Sequence, residues 1–267
     1  KKNKNNIKLF MNEYIIYEQP VTENVRNFLK CEYLFEKFNS AIQKQDMWSV
    51  KSSISTLIEI SDLIFRINLK VELLKELEKN ILFLNYLYND NSIEIAVYDN
   101  FITKTKNCIV ALNNINDSPS KSILGNDFLM QIKSKLHIPA GENFFDMPSY
   151  LNFLSSNRSF IIDNINLWYL PFEPFFASSK LILDIKRKNS KFITMNSAGS
   201  YFEKKFDKNS KFDLARIKLI KNINIFPDIS ISSQNINIIF KTSYGPNRLS
   251  KTISKNIDFE LSLSCTK

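Results

Sequence analysis

Ile257-Asp258-Phe259-Glu260-Leu261-Ser262-Leu263-Ser264 sets an apolar side chain at every second position and a polar one between. Successive side chains of an extended chain point to opposite faces, so this is a strand with one buried face and one wet face. Working back along the chain, 234–241 repeats the pattern in part, Ile236, Ile238 and Phe240 alternating with Asn235 and Asn237. In 211–221, Ala215, Ile217 and Leu219 alternate with Arg216 and Lys218. Tyr244-Gly245-Pro246-Asn247 supplies a turn. Strands with one polar face belong to antiparallel sheets.

Upstream the period changes. In 69–88, Leu73, Leu77, Ile81 and Leu84 are spaced for a helix, with Leu74 and Leu87 widening the stripe. Such a stripe is either core or the seam of a helix-mediated dimer. Helices are also predicted over 23–39, with Thr22 as N-cap and Glu23 facing the dipole, and over 46–66. A weaker one covers 92–114. After the break at Ser118-Pro119 a helix is predicted over 120–136, then a turn at 144–148 and a short helix over 149–155. Pro171 and Pro174 flank the start of a helix running to about Lys188. Residues 14–17, Tyr-Ile-Ile-Tyr, form a β-like run that Pro20 stops or marks as an edge. The expectation is an α+β fold: an N-terminal extension and short strand over 1–20, a helical domain over 21–190, and an antiparallel β-strand domain over 191–267.

The 267 residues, 44% hydrophobic and 24% charged, can bury a sizeable core. A formal net charge of +9 favours acidic partners: nucleic acid, anionic membrane or an acidic protein segment. Cys31, Cys108 and Cys265 are odd in number and widely spaced, which argues against a disulfide framework or a zinc site and fits a reducing cytoplasm. No apolar run reaches the ~18 residues of a spanning helix, and Lys1–Phe10 lacks the apolar region of a secretory signal. Met11 is a candidate start, which would make residues 1–10 an upstream extension.

Chemistry is sparse. His137 is the one histidine, and its place at an expected helix end suits the C-terminal dipole better than a ligand role. No glycine-rich phosphate loop or nucleophile elbow is present. Glu76 and Glu78, interleaved with Lys75 and Lys79, read as a solvated helix face. No enzyme activity, cofactor or metal is expected. Positive charge is better ordered. Arg26 and Lys30 are four apart, and Lys37 returns to within roughly 20° of Arg26 after three helical turns. Lys133 and Lys135 form a second basic group, although two positions apart they diverge; Lys186-Arg187-Lys188 with Lys191 is a third. Basic helix faces of this kind can hold an acidic or carboxylate-bearing peptide, which Arg binds bidentately.

Several stretches carry a family likeness. Tyr17-Glu18-Gln19-Pro20, followed by Glu23, Arg26, Leu29 and Glu32, resembles the F-E-H-P-L-N-E…R…L-R-x-E opening of the ZapD family. Glu72-Leu73-Leu74-Lys75-Glu76-Leu77 is similar to its E-L-L-K-E-L helix, and Leu136-His137-Ile138-Pro139-Ala140-Gly141, then Phe145-Asp146-Met147-Pro148, resemble L-S-I-P-G-G and F-D-L-P. Leu183-Asp184 with Arg187, Phe226-Pro227-Asp228-Ile229-Ser230, and Asp258-Phe259-Glu260-Leu261 follow in family order, with Cys265 nearby. The resemblance implies helices plus a β-strand domain in a symmetric homodimer. It implies a cytoplasmic protein of the mid-cell division site that binds the C-terminal tail of the tubulin-like FtsZ and bundles its filaments. The residues expected to hold that tail are Arg26, Lys30, Lys37, Lys133, Lys135 and Arg187. Phe128, Leu151, Asn235 and Ile239 depart from positions where the family carries Arg, His or other basic residues. Two other readings stay open: a basic nucleic-acid-binding protein, though no RNP, helix-turn-helix or zinc pattern is evident, and a helical scaffold for another acidic partner. Nucleic acid and membrane insertion are not expected.

Overall fold

A computed structural model describes residues 14–44, 46–115, 119–207, 211–221, 224–232, 234–242 and 251–265. The expected extension over 1–10, the candidate start Met11, Ser118 and the 244–247 turn lie outside the described residues. The chain separates into two compact units, one formed by residues 27–185 and the other by residues up to 26 together with 186–267.

The helices in chain order are α1 (Glu23–Lys44), α2 (Met47–Arg66), α3 (Leu69–Asn89), α4 (Ile95–Asn113), α5 (Ser120–Leu124), α6 (Asp127–Lys135), α7 (Pro148–Leu154), α8 (Arg158–Tyr169) and, after a 3-10 turn at Leu170–Phe172, α9 (Glu173–Lys188). The Thr22 hydroxyl accepts from the Val25 amide at 3.4 Å at the start of α1. The Asp46 carboxylate accepts from the Trp48 and Ser49 amides at the start of α2. The 27–185 core gathers Phe28, Phe35 and Phe38 of α1, Ile54 and Leu57 of α2, and Leu73 and Leu77 of α3. Phe35 stacks on Phe176 and Phe38 on Tyr169, with centroids 5.0 and 4.8 Å apart.

One open alternative closes, and two readings need correction. Leu73, Leu77 and Leu84 are buried within a single chain, so this stripe is core and not a dimer seam. The helix expected over 120–136 is two helices: Gly125 closes α5, and the Asn126 side chain caps α6 by accepting from the Leu129 amide at 3.1 Å. Glu76 is not on a solvated face; it is buried beside Lys79, while Glu78 is exposed. The loop after α6 folds back tightly: a Cβ at Gly141 would stand 2.5 Å from the Lys135 carbonyl oxygen.

The other unit holds β1 (Tyr14–Pro20), β2 (Ile193–Asn196), β3 (Tyr201–Lys205), β4 (Phe212–Ile220), β5 (Ile225–Ile231), β6 (Asn235–Thr242), β7 (Lys251–Thr252) and β8 (Asp258–Cys265). One antiparallel sheet runs β1-β4-β8-β2, the other β3-β6-β5, with β7 also pairing β6. Ile217 and Leu219 of β4, Ile236, Ile238 and Phe240 of β6, and Phe259 and Leu261 of β8 form one buried cluster between the sheets. β1 is an edge strand whose register sets Tyr17 opposite Ile217 and Glu18 opposite Arg216. Tyr17 packs on the core, so Glu18, its neighbour in the pleat, faces outward. Helices from Glu23 to Lys188 followed by antiparallel strands make the α+β fold that the change of period predicts.

Candidate partner-binding surface

α1 places Arg26 and Lys30 one turn apart. The Arg26 Nε lies 3.1 Å from Glu23, an exposed pair within one turn, and Lys30 is exposed. Lys37, farther along α1, reaches both Glu59 carboxylate oxygens at 3.0 and 3.3 Å. Lys133 of α6 bonds Asp62. Glu59 and Asp62 are three apart on α2, so one acidic edge of that helix draws in two of the expected site lysines. Lys135, half-exposed at the end of α6, makes no ion pair among the described residues.

Arg187 is differently placed. Its Nε and Nη2 donate to the two Glu18 oxygens at 2.9 and 2.7 Å, a bidentate fork with side chains 23% and 19% exposed. Arg216 of β4 approaches the same carboxylate at 3.1 Å and donates to the Arg187 carbonyl at 3.0 Å. Its guanidinium lies over the Phe192 ring, 4.9 Å from the centroid. Burial pulls the Arg216 pKa down from its ordinary value, against the opposing pull of Glu18. Next to Arg187 in the chain, Lys186 is buried on Asp213 at 2.8 Å. In the Lys186–Lys188 run, so basic in sequence, Lys186 and Arg187 thus have carboxylate partners within the chain.

These fixed pairs separate the expected residues by how readily they can change partner. Exposed ion pairs contribute about 0–1 kcal/mol, so Arg26 can exchange Glu23 for another carboxylate at little cost. Taking Arg187 away from Glu18 strips a half-buried carboxylate of its best-aligned donor.

Two further features were not marked by sequence reasoning. Arg216 read only as the polar face of a strand. Lys51 is buried on α2, and its ammonium lies 5.3 to 5.4 Å from the Trp48, Phe144 and Tyr150 rings and 3.1 Å from both a Glu142 carboxylate oxygen and the Glu142 carbonyl. That cage holds the 142–150 segment against α2, and no spacing rule reveals a lysine two of whose three aromatic partners, Phe144 and Tyr150, lie 93 and 99 positions away. Burial also raises the Tyr150 pKa.

Phe128 packs against Phe153, Trp168 and Tyr150 at 5.1, 6.0 and 5.9 Å, an aromatic nucleus where the resemblance expects Arg. Leu151 is exposed, Asn235 and Ile239 are half-buried in β6, and His137 is exposed beyond the end of α6. Among the described residues no helix is long and apolar enough to cross a membrane.

The fold is that of an α+β protein, with helices in one unit and antiparallel strands in the other. The family model for ZapD, described as a cell division protein, matches residues 29–239. A cell division protein ZapD from Janthinobacterium sp. (strain Marseille) is 26% identical over 250 residues, covering 93% of this chain and 98% of that protein. The chain belongs to the ZapD family of cell division proteins.

Proposed function

We propose that the protein is a non-enzymatic division scaffold that acts as a homodimer, each copy capturing the C-terminal tail of one FtsZ polymer so that neighbouring filaments are cross-linked at the division ring. The observation that supports this reading most is the family match over residues 29–239 of a chain that presents cations on exposed helix. Within the site, Arg26, Lys30 and Lys135 lead: the Glu23 partner of Arg26 is exposed, Lys30 is itself exposed one turn further along α1, and Lys135 makes no ion pair among the described residues. Lys37 and Lys133 join by releasing Glu59 and Asp62. Arg187 holds Glu18 and contributes through the integrity of β1.

The mechanism needs no bond to be made or broken. Two copies of one site, related by a two-fold axis, convert a weak single-tail contact into avidity along two polymers. The contact is electrostatic, so bundling weakens as ionic strength rises. Replacing Arg26 and Lys30 together by Glu is expected to abolish co-sedimentation with FtsZ and to leave the dimer intact. Unchanged pelleting of the double variant removes both residues from the site.

A further inference from the structure

The dimer on which the bivalent reading depends needs a meeting face, and the outward side of α3 offers one. Val71, Lys75, Glu78 and Leu82 are all exposed and follow a 4-3-4 spacing. At about 100° per residue they fall within an arc of about 60°. The core residues Leu73, Leu77, Asn80 and Leu84 occupy the opposite side. The stripe is thus a second face of α3, turned away from the core: Leu82 is 70% exposed and Val71 40%.

The order of residues along it is palindromic. Lys75 and Glu78 stand equally far on either side of the midpoint between Glu76 and Leu77, and so do Val71 and Leu82. A two-fold axis through that midpoint, perpendicular to the helix, lays a second α3 antiparallel on the first. It sets each Lys75 against the partner's Glu78 and each Val71 against the partner's Leu82. Neither Lys75 nor Glu78 makes an ion pair among the described residues, so both charges are available to a second chain. The 4-3-4 spacing is that of helices packing side by side at a shallow angle.

We infer that two copies of this chain associate through α3 about this axis, two charged pairs at the centre being flanked by two Val71–Leu82 contacts. The inference rests on the homodimer proposed above and names its surface. From Val71 to Leu82 the contact runs about 17 Å, at the small end of stable protein interfaces, so the dimer dissociates on dilution.

The test is sedimentation velocity over a concentration series on the full chain, with thermal unfolding of each variant alongside. Lys75→Glu and Glu78→Lys each set like charges opposite one another at two places, and each is expected to weaken the dimer about tenfold or more. The double exchange K75E/E78K restores opposite pairs and is expected to recover the parent's dissociation constant. Leu82→Glu is expected to give a monomer that binds a labelled FtsZ tail peptide with unchanged affinity but does not bundle filaments. Single variants that dimerise like the parent, or a folded double exchange that fails to recover, overturn the α3 face. A parent chain that is monomeric at every concentration overturns the bivalent scaffold as well, whereas a dimer indifferent to all four variants leaves the scaffold standing and removes only this face.

Discussion

Replacing Glu18 with Ala is expected to destabilise the protein by about 2–4 kcal/mol, the larger part of it as repulsion that the native carboxylate neutralises. Glu18 accepts two bonds from Arg187 at 2.9 and 2.7 Å and stands 3.1 Å from Arg216, with all three side chains between 12% and 23% exposed. That exposure sets the scale between the 0–1 kcal/mol of a surface pair and the roughly 3–5 kcal/mol of a broken buried pair. Without Glu18 the two guanidiniums face each other with no carboxylate between them. Arg187→Met keeps the aliphatic stem and leaves Glu18 its Arg216 partner, so its cost is smaller, about 1–2 kcal/mol. The double replacement E18A/R187M removes the like-charge contact and is expected to cost less than the sum of the two. Urea unfolding followed by circular dichroism reads all three. An Arg187→Met cost equal to that of Glu18→Ala, or strict additivity in the double variant, refutes the shared-carboxylate argument. A large loss of tail affinity in a well-folded Arg187→Met variant refutes the assignment of Arg187 to β1 in preference to the tail.

Other outcomes follow from buried groups. Burial pushes the Cys31 thiol up to about 12 from an ordinary 9.0; the folded chain therefore keeps a proton that the unfolded chain releases above pH 9, so stability falls as pH rises from 9 toward 12. Cys31→Ala is expected to flatten that slope in pH-dependent urea unfolding, and an unchanged slope counts against it. Glu142→Ala leaves the Lys51 ammonium with one carbonyl and three rings. A melting point lowered by about 4–8 °C is expected, corresponding to about 2 kcal/mol, and an unchanged melting point shows that the aromatic cage alone holds Lys51.

The strands that sequence periodicity found are the central ones. β4 and β8 lie inside the first sheet and β6 inside the second, where one face must be apolar at every second residue. Those it missed are at edges or are very short. β2 has four residues, β3 reads Tyr-Phe-Glu-Lys-Lys, and β5 carries Pro227 opposite Phe240, acceptable on an edge strand. α8 was missed because its start, Arg158-Ser159, follows Ser155-Ser156-Asn157, a run that reads as loop; the Asn157 side chain accepts from the Ser159 amide and caps the helix.

The candidate site was less legible, for a different physical reason. Helical spacing decides which cations share a face, and it set Arg26, Lys30 and Lys37 together on α1. It cannot decide which cations already have partners, because those partners are remote: Glu18 is 169 positions from Arg187, Asp62 is 71 from Lys133, and Glu59 is 22 from Lys37. Net charge has the same blind spot. Much of the Lys186–Lys188 run is neutralised within the chain by Asp213 and Glu18, so this most compact basic run has the least charge to offer a partner. Recognition of an acidic tail should therefore depend on cations whose present partner is exposed and easily exchanged. That criterion ranks Arg26 above Arg187, although both were expected from the resemblance to hold the tail.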